Sequence, residues 1–161
     1  MVDRLRIKAS VCLATLGLAT AATIATPSIA SAILRARSAR ILSVSDTAHL
    51  RYIPRESEGS TLVEEGSATG QLPGAMRARL TVGASSFTGR FSLKTRGGSI
   101  IKGYGSAKPS GGGRYQSFAG SLVVTGGTGR YAHAHGKAGL YGVFDRQTYG
   151  LTIQTTGRLS Y

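Results

Sequence analysis

From Thr47 to the C-terminus, apolar and polar residues alternate with period two in short runs. "GAMRARLTVG" sets Met76, Ala78, Leu80 and Val82 against Arg77, Arg79 and Thr81. "SSFTGRFSLKTR" sets Phe87, Gly89, Phe91 and Leu93 against Thr88, Arg90, Ser92 and Lys94. The final run places Leu151, Ile153, Thr155, Gly157 and Leu159 opposite Thr152, Gln154, Thr156, Arg158 and Ser160. Successive side chains of a strand point to opposite faces, so each run reads as a strand with one apolar face. "HLRYI", "STLVEEGSATG", "GSIIKGYGSAK", "GRYQSFAGSLVVT" and "KAGLYGVF" complete a set of eight.

The breaks between runs carry turn chemistry: Leu72-Pro73-Gly74, Gly97-Gly98, Pro109 through Gly113, and Asp145-Arg146-Gln147. No helix-length segment separates them, which predicts an antiparallel all-β domain over 47–161. Eight strands suffice for a closed up-and-down β-barrel, and closure removes the exposed edges that a free sheet must protect. The chain holds 23 glycines, about twice the usual share of roughly 7%. Gly89, Gly103, Gly105, Gly120, Gly142 and Gly157 fall inside the runs, where glycine permits sharp coiling or a bulge.

The first 32 residues read differently. Arg4, Arg6 and Lys8 precede an uncharged stretch from Ala9 to Ala25; Pro27 follows, and Ala30-Ser31-Ala32 ends the segment on small residues. That order predicts a cleaved secretory signal over 1–32, its apolar part a helix, and a secreted or envelope location. Cys12, the only cysteine, lies inside it. No small residue precedes that cysteine, so lipidation is not expected, and no disulfide is available after cleavage. Residues 33–46, with Arg35, Arg37 and Arg40 among small residues, read as a flexible basic arm.

Charge narrows the partners. The full chain carries +13, and the first 32 residues hold three bases and one acid, which leaves +11 on the remainder. Such a field favours polyanions. A nucleic-acid reader would interleave aromatics with its bases or carry a reading motif, and the sequence has neither, so sequence-specific nucleic-acid binding is not expected. Anionic cell-wall polymers or membrane-surface groups are the expected polyanions outside a cell; solubility alone is the competing explanation. A homo-oligomer is compatible with the sequence.

One stretch, "VVTGGTGRYAHAHG" at 123–136, concentrates glycine and histidine. As a phosphate loop it lacks the Lys-Ser/Thr ending and the following helix. As a metal site it offers His133 and His135, with only His49 elsewhere, short of the three or four ligands zinc takes. Neither a metal nor a cofactor is therefore expected, and a turn between strands is the reading that remains.

Gly126-Gly127-Thr128-Gly129-Arg130-Tyr131, with Ala134 and Gly136 after it, resembles a stretch of the allene oxide cyclase and dirigent superfamily, including short secreted bacterial proteins of that type. The likeness covers about residues 60 to 161. It implies a calycin-type barrel with an apolar interior open at one end, and a rim connection in which Gly126, Gly127 and Gly129 supply unusual backbone angles and Tyr131 plugs the end. Members of the superfamily confine hydrophobic ligands, orienting radicals or closing an epoxide. The catalytic acids of the cyclases have no residue-by-residue match here.

Glu64 and Glu65 are adjacent, so one faces inward on a regular strand. A buried carboxyl has a raised pKa and is a candidate for chemistry; a rim glutamate paired with an arginine is the structural alternative. Met76, Leu80, Phe91 and Leu151 are the expected inward, ligand-contacting set, and the glycines and alanines around them suggest room for a cavity. Two function classes follow. One is a secreted, non-catalytic barrel that binds a small apolar ligand or associates with the anionic envelope. The other is a cyclase-like or dirigent-like protein acting on a hydrophobic substrate. The absence of a nucleophile–base pair favours the first.

Overall fold

The computed structural model describes residues 39–161. The expected signal segment, Cys12, Arg35 and Arg37 lie outside the described residues. The described chain forms eight strands: β1 (Ile41–Tyr52), β2 (Thr61–Gly70), β3 (Gly74–Val82), β4 (Phe87–Thr95), β5 (Ile100–Ser110), β6 (Tyr115–Gly127), β7 (His135–Asp145) and β8 (Leu151–Ser160). Each pairs antiparallel with its neighbours in sequence, and β8 returns to β1, so the sheet is a closed up-and-down barrel. This is the fold that the alternation predicts.

β1 starts six residues earlier than its period-two pattern suggests. Ile41 to Asp46 pair with Ser160 back to Thr155, so this part of the expected arm is barrel wall. The reason is closure: without it the last half of β8 would expose its backbone donors and acceptors. Leu42 and Val44 turn inward, with Ser43 and Ser45 on the other face, an alternation too polar to stand out from the basic segment before it.

Register fixes the inner face. Leu50 sits opposite Gly66, Tyr52 opposite Glu64, Glu64 opposite Ala78, and Ala78 opposite Phe91. The core follows that face around the barrel, with Met76, Leu93, Ile101, Phe118, Leu122, Leu140, Phe144, Leu151, Ile153 and Leu159 buried. Asp46 also faces in, and its Oδ1 accepts the Leu72 N–H at 3.0 Å, which ties the β2–β3 turn to β1.

The inward glycines do not leave room for a ligand. A Cβ on Gly103 would collide with the Val123 carbonyl and with the Phe91 ring, and one on Gly157 would meet the Lys137 carbonyl and Ala138. Neighbouring strands and rings already occupy that space. The lumen is consequently well filled, with two small apolar voids of about 70 and 50 Å³ on either side of Met76, Phe91, Leu122 and Ile153. The cavity that the small residues suggested is thus reduced to two remnants, because glycine here serves the tight coil of the wall.

Candidate functional site

Two regions of the barrel carry chemistry: its Glu64 end and its outer wall over β3, β4 and β5.

At the Glu64 end, β2 leaves the short 3-10 turn Pro54–Glu56 and the Ser57 bend that follows β1. Ser57 Oγ donates to the Ile53 carbonyl at 2.9 Å and accepts the Val63 N–H at 2.8 Å, which holds the start of β2 in place. This register turns Glu64 inward and Glu65 outward. Glu65 pairs with Arg77, which also bridges to Glu56. Glu64 is 0% exposed, and neither carboxylate oxygen has a hydrogen-bond partner. Burial pushes its pKa from 4.5 up to about 8, because an apolar interior disfavours the charged form.

Aromatic rings crowd the same end. Tyr52 packs on Tyr149 at 5.1 Å between ring centroids, Tyr149 on Phe144 at 6.1 Å, and Phe87 edge-on to both Phe144 and Phe118 at 5.8 Å. Tyr149 holds a left-handed backbone, φ 58°, in the β7–β8 connection, and is 44% exposed. A bulky residue in that region is a strained outlier. The connection is braced by Asp145, whose carboxyl accepts from Arg114 at 3.0 and 3.1 Å and from the Gln147 N–H at 2.9 Å. The Arg114 hydrogen bond holds the Asp145 carboxyl well below the usual carboxylate range.

The opposite end carries the Gly126–Tyr131 stretch. Thr125 is an extra residue on β6, since Lys102 pairs with Gly126 and Gly103 with Val124. Gly129, at φ 59°, opens a 3-10 turn over Gly129–Tyr131. Thr128 anchors that turn to Ile100 by donating its N–H at 2.8 Å and accepting at Oγ1 at 3.1 Å. Tyr131 is 0% exposed, packs on Tyr161 at 4.9 Å, and lies under the Arg130 guanidinium. The stretch is a structural closure. His133 lies in the turn and His135 opens β7; both are exposed, and they do not share one strand face.

Met76, Leu80, Phe91 and Leu151 all point into the lumen. Met76 and Phe91 border both voids, Leu80 and Leu151 only the one toward Glu64. The structure places Glu64 on the same inner face, one strand from Ala78, which borders that void. Glu65, on the outer surface, is separated from all of them.

The outer wall of β3–β5 carries a basic cluster that alternation alone does not indicate. Arg79 stands directly opposite Arg90, Arg90 opposite Tyr104, and Lys102 opposite Ser92. All three bases are exposed, Tyr104 is 51% exposed, and together they line an open groove of about 580 Å³. Arg79 and Arg90 are not ion-paired with any described residue. The signal was available: from Gly66 to Phe144 the chain has ten lysines and arginines and no acid. Period-two alternation marks which residues face in; which bases meet on the outside depends on the register between strands.

No protein-family model matches the chain, and no curated protein or solved structure matches it significantly. Fold and geometry therefore define the class as a closed eight-stranded all-β barrel, and its function has to be argued from the two regions above.

Proposed function

We propose that this is a secreted, non-catalytic barrel that associates with the anionic cell envelope through the outer wall of β3–β5. One observation carries the reading: Arg79 and Arg90 face each other across β3 and β4 with no acid on either strand or on β5. Like charges directly opposite one another destabilise a sheet. A structural role would have placed a glutamate there, as Glu65 is placed beside Arg77. An unpaired cluster with Lys102 beside it is suited to closely spaced anionic groups, such as the phosphates of wall polymers or lipid head groups. Export by the N-terminal segment is part of the proposal, as is the likeness of the Gly126–Tyr131 stretch to the allene oxide cyclase and dirigent superfamily, taken as a likeness of architecture. The cyclase-like reading has Glu64 in its favour, but it needs the lumen to open well beyond voids of about 70 and 50 Å³, against the roughly 300 Å³ or more typical of ligand pockets.

The test is co-sedimentation with phosphatidylglycerol vesicles and with isolated cell wall. Binding is expected to weaken steeply as ionic strength rises from about 0.05 to 0.5 M, because exposed charges are screened beyond about 8–10 Å at ordinary salt. The Arg79→Glu/Arg90→Glu double variant should release the protein at salt where the wild type stays bound. Binding that ignores salt, or survives the double variant, would refute the reading. N-terminal mass spectrometry of protein from the medium or envelope should find Ile33 first.

A further inference from the structure

Tyr104 stands on β5 directly opposite Arg90, yet no described base stacks on its ring. Elsewhere the chain does pair such neighbours. The Arg114 guanidinium lies 4.9 Å from the centroid of the Tyr115 ring, and that of Arg130 lies 4.7 Å from the centroid of Tyr131. A guanidinium is readily drawn onto an aromatic face. A half-exposed ring left uncovered beside an arginine without an ion pair is therefore a surface with two unfilled contacts. The fold makes no use of the ring, which points outward and takes no part in the core.

Other groups converge on it. Arg79 continues the row on β3, and Lys102 lies two residues before Tyr104 on the same face of β5. Thr125, the extra residue of the β6 bulge, borders the groove of about 580 Å³ together with Ser92. A bulge re-aims the side chain it carries. Thr125 Oγ1 donates to the Lys102 carbonyl at 3.4 Å, so its oxygen can still accept. The groove thus offers bases for an acid group, hydroxyls for hydrogen bonding and one free ring face.

A bare phosphate or carboxylate would use the bases and leave the ring idle. A single-stranded nucleic acid would stack successive bases on several aromatics; Phe91, the other aromatic at the groove, points into the lumen. A saturated sugar ring fits all three features. Its axial C–H groups carry slight positive charge and suit the negative face of an aromatic ring, and its hydroxyls can bond Ser92 and Thr125. Building on the outer-wall reading, we propose that the groove binds the acidic sugar units of a polysaccharide, the acid group on Arg79, Arg90 and Lys102 and the sugar ring on Tyr104. The register sets the reach: β-carbons of directly opposed residues such as Arg90 and Tyr104 lie about 5 Å apart. An acid group carried on the sugar ring itself meets arginine while the ring rests on tyrosine.

The probe is trigalacturonate, titrated into the full chain at low ionic strength and followed by NMR. Tricarballylate supplies the acid groups without a sugar ring, and maltotriose the rings without acid. Saturable binding of trigalacturonate is expected, about tenfold tighter than that of tricarballylate, the size of a favourable ring contact. Maltotriose should show no saturable binding. Tyr104→Ala should remove the tenfold preference and Tyr104→Phe should keep it, while both associate with phosphatidylglycerol vesicles as the wild type does. Arg79→Glu/Arg90→Glu should abolish binding of both acids. Should Tyr104→Ala fail to fold, the preference of the wild type for trigalacturonate over tricarballylate still decides. Equal affinity for the two acids, a preference that survives Tyr104→Ala, or an oligothymidylate that binds more tightly than trigalacturonate through Tyr104 would each overturn the proposal. None of these results touches vesicle association through Arg79 and Arg90, so the sugar chemistry and the outer-wall reading fail separately.

Discussion

Glu64 shows what a single inward position can cost. Its neighbour Glu65 satisfies its charge on Arg77 at the surface, while Glu64 meets only apolar wall. Folding raises its pKa from 4.5 to about 8, so the native state holds a proton that the unfolded state releases within that window. The unfolded chain binds fewer protons there, and stability must fall as pH rises. The contribution is fully present below about pH 4.5, is lost progressively up to about pH 8, and is constant above. At about 1.4 kcal/mol per unit the loss is on the order of a few kcal/mol. Urea unfolding of the wild type from pH 5 to 8.5 should show this decline, and Glu64→Gln should flatten it. Identical slopes for the two proteins would mean that Glu64 is solvated. The adjacency of two glutamates made one inward carboxyl legible in the sequence; which one it was depended on the register set by Ser57 and the turn before β2, and nothing in the local pattern encodes that register.

At the scale of elements, the alternation in "GAMRARLTVG" and "LTIQTTGRLS" was enough to identify β3 and β8, because each has a clean apolar face and turn residues at its ends. The first half of β1 was not legible in the same way. Ser43 and Ser45 flank Val44, and the run follows directly on arginines, so its composition resembled a tail. Its identity as wall comes from a partner more than a hundred residues away, since Ile41 to Asp46 complete the ladder of β8. The same non-local cause hid the role of the inward glycines, which accommodate a neighbouring strand's carbonyls rather than a ligand. Deleting residues up to Asp46 should therefore do more than remove charge. It should bare the Thr155–Ser160 half of β8 as an unpaired edge next to an opened lumen. Size-exclusion chromatography is expected to show self-association of the truncated chain, and thermal unfolding a marked loss of stability. A monomer of unchanged melting temperature would show that Ile41–Asp46 is an arm after all.

For the whole molecule, charge works against the fold that carries it. Residues 39–161 hold fifteen lysines and arginines and six acids; of the acids, Glu64 is buried and uncharged below its pKa, while Glu56, Glu65 and Asp145 are taken up by Arg77 and Arg114. The remaining field is positive almost without relief from β3 through β7, and self-repulsion of this kind destabilises a compact state. A second unrelieved pair, Lys137 opposite Arg158 on β7 and β8, provides an internal control. Converting one member of either pair to glutamate replaces a repulsive cross-strand contact with an attractive one, for which about 0.2–1 kcal/mol is typical. Arg90→Glu and Lys137→Glu should therefore both melt slightly higher than the wild type at low salt. They should differ in association with phosphatidylglycerol vesicles: Arg90→Glu removes a base from the groove shared with Arg79, Lys102 and Tyr104, whereas Lys137→Glu makes the same change of net charge on another wall. A gain in stability with a selective loss of binding in Arg90→Glu would mark Arg90 as kept for its partner at the expense of the fold. Equal loss in both variants would instead assign the association to net charge alone, with no preferred face.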